Sequence, residues 1–332
     1  MVFLVASGVL LTLLLGLRDI ETGGIDLIRY EGTYETLSRA NSIISAYETR
    51  QGDNLLFFLS MFLSGKLGIS FQYFLFIVAA LSVSACMMFY YRYCNYPLLC
   101  IALYLPTCYI HQFSQLKQTI AVGIAVIAYM LLRNNKIKWA YLVLVIAILF
   151  HPTALVMIPF FFLCKYRANP LLLISLFVVS FFVFLLRMEI GEFLTRAFYS
   201  QYLDKWESKE GITGMAILFI MITFFYLILM PLRRNVSKER YLIISSYLYA
   251  LIIAMTIFFC SSYSFAFTRL NNYYMMFVPL ALSEIAEFDI WKSLSKYPVF
   301  AMFGIIMYVM IDWFLKMVIS QQLYMYKFYW ME

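Results

Sequence analysis

Charge is what this chain has least of. Of its 332 residues only 13% are Asp, Glu, Lys or Arg, while 64% are hydrophobic and 19% aromatic. A soluble domain averages about 25% charged residues, and no water-soluble core hides this much apolar surface, so the chain reads as a polytopic membrane protein. Histidine occurs only twice, and the six cysteines form no CxxC pair. That spacing suggests neither a zinc site nor a disulfide framework, and the cysteines read as small buried hydrophobes. No P-loop, HExxH, GxSxG or DxD pattern is present. The energy-coupling machinery and the soluble sugar-nucleotide domain that such patterns mark are therefore not expected. An enzyme built from this chain should take an already activated, membrane-borne substrate, with no metal and no cofactor expected. No internal repeat is visible, which counts against an inverted-repeat transporter. Basic segments interleaved with aromatics are lacking too, so nucleic acid is not an expected partner. The net charge of +7 reads instead as Lys and Arg on the cytoplasmic side.

What is there is a series of apolar runs. A crossing helix needs about 20 such residues, and the candidates are 1–17, 71–91, 96–113, 115–132, 170–187, 212–231, 241–260, 271–286 and 298–316. The run 1–17 lacks a basic leader and a small-x-small cleavage site, so it reads as an uncleaved first span. Residues 139–163 are interrupted by His151-Pro152 and read as a hairpin of two short crossings. Residues 54–67 are short and end in Gly65-Lys66, which suits a re-entrant or interfacial helix. The basic clusters Arg133/Lys136/Lys138, Lys165/Arg167 and Arg233/Arg234/Lys238/Arg240 belong inside. Segments 18–53 and 188–211 carry more acid than base and face outward. The expectation is one all-α polytopic domain over 1–332, with about 10–12 transmembrane or re-entrant helices, the N-terminus inside and the C-terminus outside.

The few polar residues within the apolar background are the candidates for chemistry. Gln115-Leu116-Lys117-Gln118-Thr119 opens the span to Leu132. A charge near the bilayer centre costs about 2.5–3.5 kcal/mol on insertion scales. Lys117 therefore either snorkels to a helix end or serves a site. On the expected topology Arg18, Asp19, Asp26, Gln115, Lys117, Gln118, His151, Arg269 and Asn271 all fall near the outer face, which points to one outward polar cavity. Gly23-Gly24 lets the chain turn sharply ahead of Asp26 and Tyr30, residues that suit a polar ligand or a solvated loop equally. His151 precedes Pro152 at a helix break, where imidazole serves proton transfer or caps the turn. Arg269 opens a span followed by Tyr273 and Tyr274; it grips a diphosphate or anchors at the headgroups.

These motifs, in this order, resemble the EpsG family of bacterial exopolysaccharide and O-antigen polymerases, the Wzy-like proteins. Arg18 matches that family's arginine near the first span. Gly24-Ile25-Asp26 with Tyr30 matches a Gly-Thr-Asp-x-x-x-Tyr-like motif, with Ile in place of Thr. Lys117-Gln118-Thr119-Ile120-Ala121 matches an Arg-Gln-x-x-Ala-like helix start, with Lys for Arg. His151-Pro152-Thr153-Ala154 matches His-x-Ser/Thr-Ala, and Arg269 with Tyr273 matches a late Arg-x-x-x-Tyr. The acidic position before the short second apolar segment is either Glu48 or Asp53.

The resemblance implies a GT-C-like fold and a glycosyltransferase in the bacterial cytoplasmic (inner) membrane, with its active site outward. It would move an undecaprenyl-diphosphate-linked glycan onto a new lipid-linked repeat unit, for O-antigen, capsule or exopolysaccharide. Membrane lipids, undecaprenyl-diphosphate-linked oligosaccharides, a chain-length regulator and a flippase are the implied partners. Lys117 and Arg269 would stabilise the leaving diphosphate, and Asp26 or His151 would act as base. Arg18, Gln118, Tyr30 and Tyr273 would bind the diphosphate or glycan. The competing readings are a polyprenyl-phosphate-sugar-dependent membrane glycosyltransferase and a lipid-linked oligosaccharide flippase or transporter.

Overall fold

The computed structural model describes residues 2–48, 54–198, 214–230, 236–263, 266–286 and 296–331. Asp53 and part of the expected outward segment 188–211 lie outside the described residues. The described chain is all-α, and its only β-type pairing is an isolated antiparallel bridge between Arg18 and Phe328. Two compact units are present: Met1–Leu155 with Asp312–Glu332, and Val156–Ile311.

Three helices among the described residues are long and apolar enough to cross a membrane: Phe71–Tyr93, Leu116–Arg133 and Lys238–Phe259. A fourth follows if Pro170–Leu185 and Arg187–Arg196, bent by 79°, count as one span. Most other expected spans are shorter apolar helices. The expected span 271–286 is broken into Asn272–Met275 and Val278–Ala286, where Pro279, in the first turn of the second piece, has no N–H to donate to Met275 O.

In the first unit, α1 (Val2–Gly16) packs antiparallel to α5 (Phe71–Tyr93). Between them come α2 (Leu27–Arg39), α3 (Ile43–Glu48) and α4 (Leu55–Lys66); α6 (Pro97–Thr107), α7 (Leu116–Arg133) and α8 (Ile137–Phe150) follow. Apolar side chains gain little by meeting each other in lipid, so close backbone approach at small residues carries the packing. A Cβ on Gly16 would lie 2.8 Å from the Phe76 Cα. A groove of about 510 Å³ runs between α1 and α5, lined among others by Val5, Gly8, Val9, Phe76 and Met87. None of the candidate site residues lines it.

Helix α2 is amphipathic. Leu27, Tyr34 and Leu37 are buried, whereas Arg29, Glu35 and Arg39 point out. Its inner face joins Phe57, Phe58 and Met61 of α4, Phe71, Phe74 and Leu75 of α5, and Leu116 of α7 in one core. Helix α4 has 12 residues and so spans about 18 Å, too short for a hydrocarbon core of about 30 Å. The reading of 54–67 as a non-crossing helix accords with that length.

Helix α1 ends without leaving its last carbonyls bare. Leu13 O accepts from Leu17 N at 2.9 Å, Leu14 O from the Tyr326 hydroxyl at 2.6 Å, and Leu15 O from Arg18 Nη1. Gly16 O accepts from Gln72 Nε2 at 2.8 Å. One turn earlier, the Tyr109 hydroxyl reaches Leu11 O at 2.6 Å. The C-terminal segment is tied to the same place, since Asp19 N donates to Lys327 O at 2.9 Å and Tyr329 N to Leu17 O at 3.0 Å. Residues 17–19 and 327–329 therefore share one end of the unit.

At the other end, Arg92 Nη2 donates to Asn134 Oδ1, and Arg133, Lys136 and Lys138 stand at the α7–α8 turn. Here the cysteine reading needs correction. Cys94, at the C-cap of α5, is joined to Cys100 in α6 by a disulfide. The tight turn between the two helices, opened by Pro97, brings them together, which spacing alone does not reveal. Cys86, Cys108, Cys164 and Cys260 are free and buried.

The second unit comprises α9 (Met157–Leu163), α10 (Pro170–Leu185), α11 (Arg187–Phe198), α12 (Gly214–Leu229), α13 (Lys238–Phe259), α14 (Ala266–Leu270), α15 (Asn272–Met275) and α16 (Val278–Ala286). Helix α17 (Lys296–Ser320) supplies residues to both units. Buried α13 is the hub. Thr256 bonds Ser180 of α10 at 2.6 Å, Ala254 O accepts from Asn271 Nδ2 at 3.1 Å, and Arg240 pairs with Glu284 of α16.

Removing the Tyr326 hydroxyl strands the Leu14 carbonyl in an apolar surrounding, a cost of about 1–3 kcal/mol. Tyr326→Phe is therefore expected to lower the unfolding temperature of the detergent-solubilised protein; an unchanged melting curve would contradict this account of how α1 ends.

Candidate functional site

The site begins where α1 stops. Asp19 Oδ2 accepts from Glu21 N at 3.1 Å and from Thr22 N and Oγ1 at 3.0 Å each, a side-chain turn of the kind Asp forms readily. It delivers the chain to Gly23 and Gly24. A Cβ on Gly23 would lie 2.7 Å from Arg18 Cγ. Gly24 has φ +146°, and a Cβ there would sit 2.3 Å from the Phe113 carbonyl oxygen. Only glycine combines this backbone angle with that contact.

Asp26 follows as N-cap of α2. Its carbonyl accepts from Tyr30 N at 3.2 Å, while its half-buried side chain makes no cap hydrogen bond. Tyr30, one turn on, meets Phe57 edge-on at 5.6 Å. The Lys117 ammonium lies over both rings, 5.7 Å from the Tyr30 centroid and 5.8 Å from that of Phe57. Cation–π attraction of about 0.5–2 kcal/mol per contact thus directs the Lys117 head towards α2 and α4. Tyr30 and Lys117, far apart in the chain, are brought together. Gln118 is buried beside Lys117.

His151 is the C-cap of α8, at the same end of the unit. Helices α7 and α8 form an antiparallel hairpin, so the end of α8 returns to the start of α7. Phe150 packs on the core that holds Leu116 and Tyr30. Thr153 N donates to His151 Nδ1 at 3.3 Å, and the Thr153 hydroxyl lies 2.6 Å from the same nitrogen. Because a backbone N–H only donates, Nδ1 is the acceptor, and the proton of the neutral ring resides on Nε2. The break at His151-Pro152 falls where the proline places it.

Arg18 is 1% exposed. It donates to Leu15 O and, at 3.2 Å, to Phe113 O, with its guanidinium 5.5 Å from the Phe113 ring centre. Burial lowers its pKa to about 10, against the raising influence of Tyr109 and Tyr326; it is charged at neutral pH. Burial also raises the pKa of Glu31, reinforced by Glu35, Asp19 and Glu21, which marks how acidic this end of the unit is. Arg269 and Tyr273 belong to the second unit, Arg269 half-buried in α14 and Tyr273 buried in α15. Tyr274 donates its hydroxyl to Val156 O and packs edge-on against Phe160 at 5.7 Å, which fixes this short helix against the start of α9.

Sequence reasoning missed Gln72, Phe57, Tyr109, Phe113 and Tyr326. Two of these act through an aromatic ring or a backbone carbonyl, features that carry no motif. Among the described residues, no group of three or more His, Cys, Asp or Glu gathers as a metal site.

The motifs in chain order therefore sit on one framework in the first unit and one short helical segment in the second. A family model, that of the EpsG family, matches residues 1–328. The chain belongs to the EpsG family. No curated protein and no solved structure matches it. Membership points to a membrane polysaccharide polymerase, a polymerase-type glycosyltransferase, and the apolar helices make this EpsG-family chain an integral membrane protein.

Gly24→Ala is expected to cost about 1–3 kcal/mol from the backbone angle alone, and more from the collision with Phe113. The readout is loss of folded protein on size exclusion after mild detergent extraction; full recovery of monodisperse protein would contradict the close approach.

Proposed function

We propose that this EpsG-family chain lengthens a glycan carried on a polyprenyl diphosphate, at the extracytoplasmic face of the cytoplasmic membrane. The observation that carries the reading is the placement of Lys117. A cation in the first turn of α7 is held over Tyr30 and Phe57, and Tyr30 stands one turn along α2 from its N-cap, Asp26. The positive end of the α7 dipole adds to the cation's field. This end of the unit is opposite Arg92, Arg133, Lys136 and Lys138, and by the positive-inside rule it faces outward.

In the reaction, the acceptor hydroxyl of a new repeat unit attacks the anomeric carbon of the growing glycan. The bond from that carbon to the diphosphate oxygen breaks, and the lipid diphosphate leaves with the electron pair. Lys117 stabilises the charge that develops there, and Gln118 and Tyr30 contribute hydrogen bonds. Arg269 is the cation candidate of the second unit, with Tyr273 as its neighbour. Asp26 is the better base of the two considered. The Nδ1 of His151 is committed to Thr153, so the neutral ring presents an N–H at Nε2 and serves as a donor. Undecaprenyl is the carrier proposed, with a flippase upstream and a chain-length regulator as partners.

The test uses purified protein in nanodiscs with diphosphate-linked repeat units. Wild type is expected to give a ladder of lengthened products. Lys117→Ala and Arg269→Ala are each expected to slow it about 100-fold or more, as removal of one charge-stabilising donor does, and Asp26→Asn likewise. Wild-type ladders in the Lys117 and Arg269 variants would reject their role, and transfer of one sugar from a polyprenyl phosphate would replace polymerisation with single-sugar addition. Cysteine labelling from outside should reach position 26 and not position 136.

A further inference from the structure

The motif order places Arg18 among the phosphate-binding residues, yet its side chain is spent within the protein. We infer that Arg18 is a positioning residue: its guanidinium ties the end of α1 to the Phe113 carbonyl and thereby sets where α7 begins and where Lys117 stands. The activity part of this inference rests on the polymerase reading; the geometric part does not.

The physical chain is short. Arg18 donates to Leu15 O at the last turn of α1 and, at 3.2 Å, to Phe113 O. Phe113 ends the 3-10 turn Tyr109–Phe113, so its carbonyl falls at a change of helix type, where the repeating backbone pattern is interrupted. Gly24 presses on the same carbonyl from the loop that carries Asp26. Next in line, the Ser114 hydroxyl meets Gln321 Oε1. The backbone then passes straight into α7, with Gln115 N bonded to His111 O at 3.2 Å and Thr119 N to Gln115 O at 2.8 Å. One carbonyl is thus the meeting point of the α1 end, the Asp26 loop and the start of α7. Displacing it moves both Lys117 and Asp26.

Arginine suits the task because its planar fork reaches two carbonyls at once, whereas lysine offers a single ammonium. At 1% exposure no water replaces a lost bond, and no carboxylate pairs with the guanidinium in its described contacts. A buried charge met by two carbonyl dipoles, with its Nε left without a hydrogen-bond partner, is costly to keep, which fits a residue that serves geometry.

The test has two arms. In the first, position 117 is converted to cysteine in the full-length protein and labelled with a membrane-impermeant maleimide, in the Arg18 and the Arg18→Lys backgrounds. The four free native cysteines are buried and give a low background. A change in labelling rate of threefold or more is expected; an unchanged rate overturns the inference without touching the polymerase reading. In the second, lengthening rates are compared for Arg18→Lys, Lys117→Ala and the double variant. If Arg18 acts through the placement of Lys117, the single change is at least tenfold slower than wild type and the double falls by clearly less than the product of the two single losses. Losses that multiply show that Arg18 meets substrate by itself and overturn the inference, as does a wild-type rate in Arg18→Lys. Where Arg18→Lys fails to accumulate, Ser114→Ala enters both arms in its place: a masked loss with altered labelling supports the inference, and multiplied losses or a silent variant overturn it. A wild-type protein inactive on lipid-linked repeats would sink the proposed function and leave the labelling arm standing.

Discussion

A helix that ends inside an apolar surrounding must find partners for its last four carbonyls, because each one left bare costs as much as a lost hydrogen bond, or more. In this protein that constraint falls on α1, and the solution draws on the whole first unit. Tyr326, Arg18 and Gln72 each reach one terminal carbonyl, while Leu17 closes the fourth. The α1 terminus is therefore a junction at which the loop to α2, the start of α5, the turn before α7 and the C-terminal segment are all held. The candidate site lies on that junction because the polar groups needed to satisfy a backbone in lipid are also the groups that set the loop bearing Asp26 in place.

The same constraint explains the character of the site. Lipid gives no hydrophobic drive to bring helices together, so approach is governed by glycines at close contacts and by side-chain bonds to carbonyls. Gly16 and Gly24 mark the first, and the tyrosines at 109 and 326 the second. An ammonium set over two aromatic rings follows this logic. Tyr30 and Phe57 offer Lys117 a partial substitute for water.

The polar residues divide by what their side chains still have to offer. Arg18 gives its charge to carbonyls, and His151 gives one nitrogen to the turn it caps. Asp26, by contrast, holds an N-cap position without using its carboxylate as a cap. Residues that look alike in a motif thus separate into those whose polar atoms hold the framework and those whose side chains are not used in it.

Much of this was legible in the sequence. Scarcity of charge announced a helical membrane protein, since only helices or closed barrels satisfy the backbone in lipid, and the order of short motifs announced the family. Pro152 announced the break after His151, and Gly24 a sharp turn, because those residues restrict or free the backbone locally. Local chemistry could not announce that Tyr30 and Lys117 would share a contact, or that Cys94 and Cys100 would pair. Nor could it show that Arg18 would be consumed by the carbonyls of Leu15 and Phe113. Backbone carbonyls are the same in every residue, so which one becomes an acceptor for a distant side chain is decided only when the helices pack.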